Sequence, residues 1–353
     1  MNILHLHNYF NITCGISKNI SNIASSTDNN HKHFVCGFGG DALEQFYNEQ
    51  IDVSLLDPSP KFIQFISNVI QLRKIIRNKN IDIIHSHNRF MDFLAYIVQS
   101  VTKVKTVMSV HSIVSGNYLV SYRSPKLIAV SESVKQHLIT YFNIAPQRII
   151  ILNNCIMPER YKVNIDASTL RNEYGIKSTD FLFLFAGRFD KEKGVDNLIF
   201  AFSELSAKND KIKLLMIGEG SELEFLKQHS RIANQNIFIL PPKNNMADFY
   251  NASDAVILPS RVDPFPFVML EAGLFSKTFI GTKVDGISEM IADGKTGILC
   301  APGNIAELAQ SMSLVINSSE LRDKLGGNLY LTVMGKYTFN NYIIKLNDIY
   351  ASL

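Results

Sequence analysis

The chain has 353 residues, 46 % of them hydrophobic, and 35 Lys+Arg against 32 Asp+Glu leave a formal net charge of only +3. That length suits two domains of ordinary size, and so small a net charge argues against nucleic acid as a partner. Cys14, Cys36, Cys155 and Cys300 show no metal-ligand spacing, and the apolar run Phe181–Ala186 is far too short to span a bilayer. The expectation is a cytoplasmic protein with reduced thiols, attached to a membrane at most peripherally at its inner face.

Charge is unevenly spread: residues 1–162 hold 16 Lys+Arg and 10 Asp+Glu, the remainder 19 and 22. A basic first half suits an anionic acceptor or an anionic membrane surface. MNILHLH opens the chain as a strand with no basic flank, and His5 and His7 interrupt it, so no secretory signal is expected. A loop, NYFNITCGIS, leads into a helix from about Ser17, followed by strands HKHFVCGF and IDVSLLD. From Lys61 to Asn80, apolar residues at 62, 65, 66, 69, 70, 72, 75 and 76 predict a helix with one buried face and cations in its last turn. Strand IDIIHSH follows at once, so a crossover helix is read here in preference to a membrane-lying one. Helix 91–102, strand KTVMSVHS, strand KLIAVS with helix ESVKQHLITYF, and strand RIIILNN complete a first alternation.

Asn154–Asp166 is irregular and polar, a linker. The alternation then restarts at FLFLFA and runs through strands KIKLLMIG, NIFILP, DAVILP and TFIGT with helices between them, and FNNYIIKLNDIYASL closes the chain as a helix. Strands alternating with helices predict parallel sheets covered on both faces. The fold class is therefore α/β, with two doubly wound Rossmann-like domains, residues 1–162 and 163–336, facing each other across a cleft where ligands collect.

Pro259–Ala272, PSRVDPFPFVMLEA, concentrates the chemistry. Asp263 sits in a strand-to-helix loop, and Glu271 lies about two helical turns further on. The free N–H groups of a helix start attract phosphate, and carboxylates on either side could accept sugar hydroxyls. In the loop GRFDKEKGVDNL, Arg188 and Lys193 precede another helix; together they could hold a diphosphate, Arg by forking onto two oxygens and Lys as a point charge. Each loop taken alone also reads as a solvated surface. Gly218-x-Gly220 lacks the third glycine of a dinucleotide fingerprint, Leu223 standing in its place, and is read as a tight turn. His5/His7 and His85/His87 are i, i+2 pairs at strand ends, and His111 ends a third strand. Three imidazoles could bind zinc there, but the preferred reading makes His111 a polar group at the cleft. No Asp-x-Asp occurs, which favours cations and backbone N–H groups over a divalent ion as the charge-stabilising elements.

AGRFDKEKGVDNLIFAF, MIGEGSELE, ASDAVILPSRVDPFPFVMLEAG and GTKVDGISEMIADGKTGILCAPGN, in this order and spacing, resemble retaining glycosyltransferases of family 4 with the GT-B architecture. TCGIS, IIHSHNRF, VHS, AVSES and IILNN follow the family more loosely, and KYTFNNYIIKLNDIY resembles its final helix (residues 337–353), which returns to the first domain. The resemblance implies that Arg188 and Lys193 bind a donor diphosphate, Glu271 the ribose and Asp263 a donor-sugar hydroxyl. It further implies that Gly15, Gly187, Gly286 and the backbone of Phe265, Pro266, Phe267, Val268 and Met269 surround the donor, with His111 facing its sugar and His87 and Arg89 on the acceptor side. The implied reaction is metal-independent and needs no cofactor beyond its co-substrate. A nucleoside-diphosphate-sugar, expected to be a UDP-sugar, would give its sugar to a lipid-linked or polysaccharide precursor of a bacterial surface glycan. A nucleotide-sugar 2-epimerase and a non-catalytic sugar-nucleotide-binding subunit are the competing readings. Asp263 replaces the family's usual Glu, Pro266 and Asp285 replace glycines, and Cys155 replaces the Gly of an Asn-Gly near the hinge.

Overall fold

Thirteen strands, all paired in parallel among the described residues, form two sheets in a computed structural model that describes residues 1–12, 14–26, 31–59, 61–230 and 236–353. The chain divides into two units, Met1–Asn154 with Tyr342–Leu353, and Cys155–Asn341. The boundary thus falls ahead of the expected linker end at 162. The reason is local: Ile156 N donates to Tyr337 O, Phe339 N donates to Ile156 O, and the Tyr161 hydroxyl reaches Glu271, so the segment folds with the second unit.

In the first unit the elements are β1 (Asn2–Leu6), α1 (Gly15–Ala24), β2 (Lys32–Gly37), α2 (Leu43–Asn48), β3 (Asp52–Leu55) and α3 (Phe62–Asn78). They continue with β4 (Ile83–Ser86), α4 (Arg89–Gln99), β5 (Lys105–Val110), β6 (Lys126–Ala129), α5 (Glu132–Thr140) and β7 (Ile149–Ile151). The sheet order is β3-β2-β1-β4-β5-β6-β7. The winding reverses between β1 and β4, and the loops after those strands open at the switch point. One face of the sheet packs an apolar core of Leu4, Leu6, Ile84, Leu94 and Val98 with Leu72 and Ile76 of α3. Asn88 and Ser131 cap α4 and α5 by accepting from Met91 N and Val134 N. α3 is the expected crossover, but its buried residues are Asn68, Leu72, Ile75 and Ile76. Phe62, Ile63, Ile66 and Ile70 lie in solvent, so the apolar positions do not all share the buried face.

The second unit runs α6 (Ala167–Glu173), β8 (Phe181–Ala186), α7 (Val195–Ser206), β9 (Ile212–Ile217), α8 (Leu223–Ser230), β10 (Ile237–Leu240), α9 (Ala247–Ala252) and β11 (Ala255–Leu258). It then adds α10 (Phe267–Leu274), β12 (Thr278–Thr282), α11 (Asp285–Met290), β13 (Ile298–Cys300), α12 (Ile305–Asn317) and α13 (Ser319–Lys336). The last helix, α14 (Phe339–Ala351), begins in this unit, and its residues from Tyr342 onward belong to the first. The order β10-β9-β8-β11-β12-β13 puts β8 beside β11, again where the winding reverses. α12 and α13 were not anticipated. The two adjacent glycines of α13, Gly326 and Gly327, weaken its helical pattern, and its hold comes from packing: a Cβ on Gly273 of α10 would stand 2.4 Å from Val333 of α13.

Loops at the β8/β11 switch point meet without room for a methyl group. Gly194 takes φ +67°, and a Cβ there would stand 2.0 Å from the Pro259 carbonyl oxygen; Gly175 has the same φ with nothing within 4 Å. Gly175→Ala should therefore cost only the left-handed strain, about 1 kcal/mol. Gly194→Ala should cost about 2–4 kcal/mol because overpacking adds to that strain. Equal shifts in chemical denaturation would show that the close approach does not matter.

Candidate functional site

Strand β8 ends at Ala186, and Gly187 and Arg188 follow at the start of the loop. Gly187 has φ +154°, and a Cβ on Gly218, beyond β9, would stand 1.9 Å from the Gly187 carbonyl oxygen. The turn read at Gly218-x-Gly220 is thus a seat for the loop of Arg188. That guanidinium is 66 % exposed and pairs with its own loop, Nη1 lying 2.8 Å from Asp190 Oδ2 and Nη2 3.4 Å from Glu192 Oε2. Asp190 also accepts from Lys193 N, shaping the 3-10 turn ahead of α7.

Lys193 is the buried cation of the pair. Its Nζ lies 2.6 Å from Asp263 Oδ2, the lysine side chain being 17 % and the aspartate 5 % exposed. Ser260 Oγ donates to the same carboxylate oxygen at 3.2 Å. Burial raises the Asp263 pKa, and the neighbouring Lys193 opposes that rise. The loop is closed from its far side: Asp263 N donates to Asp285 Oδ2 at 2.9 Å, and Gly286 N donates to Asp263 O at 3.2 Å. Asp285 adopts φ +35° to do so, and a Cβ on Gly286 would meet Pro264 O at 1.8 Å. This corrects one expectation: the Gly286 amide is committed within the protein, and glycine stands there for want of space.

Prolines Pro264 and Pro266 lead into α10, whose N-cap, Pro266, makes no side-chain cap hydrogen bond. The start of that helix therefore offers the backbone N–H groups of Phe267, Val268 and Met269. Phe265 is buried, its ring 5.5 Å from that of Tyr337. Glu271 is 7 % exposed, and its two oxygens accept from Tyr161 and Tyr250 hydroxyls, both at 2.6 Å. Burial, and then the Glu271 charge, push both phenols well above their ordinary pKa. Sequence reasoning missed these tyrosines, as it missed Ser260 and Arg261. The last forks onto Asp196 of α7 with both bonds at 2.8 Å.

In the first unit, Gly15 opens α1, a helix that buries Ser17, Asn19 and Asn22 beside Ile20 and Ile23. Arg89 starts α4 and donates to the carbonyls of Ser115 and Gly116 at 3.2 and 2.9 Å. His111 is half-buried as a residue, with Nε2 3.2 Å from His87 Nδ1. His87 is corrected: at 2 % exposure it meets His5 and His111 and does not reach out toward an acceptor. The histidines of β1 and β4 do converge, since ligand atoms of His5, His85 and His87 lie within 4.8 Å of one another. Their ring nitrogens, however, are already bonded. His5 reaches His33 and His87, His85 reaches Tyr350 and Ser109, and His87 reaches His5 and His111, so a metal would have to break bonds already made.

Burial lowers these imidazoles strongly, His7 to about 4 and His85 to about 3, with His5 and His87 also far below 6.5. The folded chain keeps them neutral where the unfolded chain binds protons. Their contribution is therefore whole above pH 6.5 and drains away as pH falls toward the folded values. Unfolding free energy should drop between pH 7 and 5 by about 2 kcal/mol in all for each histidine held neutral. A flat denaturation profile over that range would contradict neutral burial.

Both halves of the chain match family models, "Glycosyltransferase Family 4" over residues 15–160 and "Glycosyl transferases group 1" over 166–331. The chain is 26 % identical to the N-acetyl-alpha-D-glucosaminyl L-malate synthase of Bacillus anthracis over 79 % of its own length and 77 % of that protein. It is 25 % identical to the capsular polysaccharide biosynthesis glycosyltransferase CapM of Staphylococcus aureus, covering 88 % and 87 %. Among solved structures, Anabaena HepE in complex with UDP-glucose aligns over 100 % of both chains with a TM-score of 0.90 at 19 % identity.

Proposed function

Because the chain is a GT-B glycosyltransferase of the family 4 type, we propose that it moves a hexosyl or N-acetylhexosaminyl group from a UDP-sugar to a hydroxyl of a bacterial surface-glycan precursor, with retention and without a metal. The observation that carries this reading is the β8/β11 switch point. There one loop supplies the exposed Arg188 and the buried Lys193, and the next supplies Asp263 and the uncapped start of α10. Negative charge that gathers on a departing diphosphate is what two cations and a helix start stabilise. Asp263 would accept a donor-sugar hydroxyl, its position held by Lys193, Ser260 and Asp285. Glu271 would accept from the ribose, and its two tyrosines hold the carboxylate in place. Front-face attack, in which the leaving phosphate helps take the acceptor proton, asks the protein mainly for orientation and charge.

The names of the relatives support the donor and acceptor classes: HepE was solved with UDP-glucose, and CapM is named for capsular polysaccharide biosynthesis. The competing non-catalytic reading rests on Asp263 and Asp285, which depart from the family's usual residues. The bond that Asp285 accepts from Asp263 N gives that carboxylate a role within the loop. Arg188→Ala and Lys193→Ala should each cost about 2–4 kcal/mol in kcat/KM, the scale of losing one charge contact in a transition state. The measurement is UDP release from a panel of UDP-sugars, and wild-type turnover in both variants would remove the diphosphate assignment.

The acceptor side is proposed to meet an anionic membrane surface through α3. On this helix Phe62 and Ile63 are 76 % and 77 % exposed, Ile66 and Ile70 44 % and 52 %, and exposed Arg73, Lys74 and Arg77 follow in the next turns. An apolar strip leading into cations on a solvent-facing side suits a helix lying in a headgroup layer. No helix among the described residues is long and apolar enough to cross a membrane. The double variant Ile66→Glu, Ile70→Glu should lose sedimentation with phosphatidylglycerol vesicles while keeping its unfolding midpoint. Undiminished binding would take α3 out of the proposal.

A further inference from the structure

The connection from β5 to β6, residues 111–125, is irregular throughout. It leaves the sheet at His111, beyond the C-terminal end of β5, and ends at Pro125, the residue before β6, so it runs from one edge of the sheet to the other. Its second half is held from several sides. Tyr122 is 2 % exposed with φ +58°, a left-handed conformation that a bulky side chain rarely takes. Asp92 of α4 fixes the next residues by accepting from Arg123 N, Ser124 N and Ser124 Oγ. Arg148, the residue before β7, donates to the carbonyls of Tyr122, Ser124 and Pro125. Backbone strain that persists under such bracing gathers at ligand sites.

Beside this segment lies a cavity of about 240 Å³. That is below the roughly 300–1,000 Å³ of drug-sized sites, so it suits a small ligand. Tyr96 of α4, Tyr118, Tyr122 and Phe142 line it, the Phe142 ring standing 5.2 Å from that of Tyr118 and 4.7 Å from that of Tyr122. Arg123 and Arg148, both half-buried, line it as well. Among the described residues neither guanidinium pairs with a carboxylate. Arg123 donates through Nη2 to Leu119 O, and its Nε and Nη1 meet no partner there; nor does Arg148 Nη1. Asp92, the nearby buried acid, is taken up by the backbone and by Ser86 and Ser124. Two partly desolvated cations without a counter-ion attract an anion, and the N–H forks of guanidinium match phosphate. Aromatic faces next to them cover an uncharged ring, such as the C–H face of a sugar.

We propose that this cavity is a second ligand site, one that binds a monosaccharide phosphate. Arg123 and Arg148 take the phosphate, and the tyrosine and phenylalanine rings cover the sugar. Pro125 and Arg148 stand just before β6 and β7, so the site reaches the N-terminal edge of the sheet, opposite the edge where the loops after β1, β4 and β5 open. The segment that walls it begins at His111. Occupancy therefore constrains the residue expected to face the donor sugar; this coupling, unlike the binding itself, rests on the proposed function.

The test uses the full chain and three probes: glucose 1-phosphate, inorganic phosphate and glucose. Calorimetry reads binding, and UDP release from saturating UDP-glucose, with water as the acceptor, reads turnover. Glucose 1-phosphate should bind the wild type and Arg188→Ala alike, about tenfold more tightly than inorganic phosphate, and glucose should give no heat. Arg123→Gln, which leaves the backbone bonds to Asp92 in place, should weaken that binding about tenfold, the scale of one hydrogen bond to a charged group. Tyr96→Ala, at a ring 43 % exposed on α4, should weaken it from the sugar side and serves if Arg123→Gln lowers the unfolding midpoint. Added glucose 1-phosphate should change UDP release in the wild type and leave that of Arg123→Gln unchanged. No heat from glucose 1-phosphate in the wild type, or full-strength binding in both Arg123→Gln and Tyr96→Ala, would overturn the site. Loss of binding in Arg188→Ala alone would move the ligand to the loop after β8 and leave the proposed function standing. Equal affinity for inorganic phosphate would overturn the assignment of the sugar, and binding without any effect on turnover would overturn the coupling to His111.

Discussion

A carboxylate with a side-chain exposure of 5 % lies 2.6 Å from the Lys193 ammonium group, which opposes the rise that burial imposes on its pKa. The second unit is arranged around that pair. Parallel winding brings β8 and β11 side by side, so the loops that carry the two residues leave the sheet at neighbouring positions. Gly194 lets the first loop run against the Pro259 carbonyl, and Gly286 lets α11 run against Pro264. Removing either charge alone would leave the other buried without compensation, which is far more costly than removing both.

The alternation of strands and helices was legible because apolar runs and their punctuation are local properties. So were Arg188, Lys193, Asp263 and Glu271, since each lies in a short stretch whose residue types already suggest a strand-to-helix turn. What could not be read were the partners across the chain. Tyr161 and Tyr250 meet Glu271 from 110 and 21 residues away, and no periodicity marks them. The bond from the Gly286 amide to Asp263 O is equally hidden, because a backbone group has no signature in the sequence. α3 misled in a different way: its apolar residues satisfy a helical repeat, but Phe62, Ile66 and Ile70 of that repeat face water.

The first unit solves its interior differently on its two faces. One side of its sheet is an ordinary apolar core. The other buries His5, His33, His85 and His87 with the polar residues of α1, and α14 contributes Tyr350 to His85. Such a layer is stable only when its donors and acceptors are matched, because the low local dielectric makes an unmatched group expensive. The low folded pKa values of its imidazoles follow from burial in that layer. The apolar positions that identified β1 and β4 as strands carried no hint of it.

Asp285 has a consequence for how the loop before α10 can hold an anion. The Asp263 N–H is taken by Asp285, the Gly286 N–H by Asp263 O, and Pro266 has none. Three places where a glycine-rich version of the loop could present backbone dipoles are thus silent. In the proposed reading, attraction for the donor would shift from fixed peptide groups to the formal charges of Arg188 and Lys193, and the former is mostly exposed. Mobile ions in the surrounding solution compete with an exposed guanidinium far more effectively than with a dipole locked in the backbone, so in that reading the grip of this loop would be tuned by ionic strength.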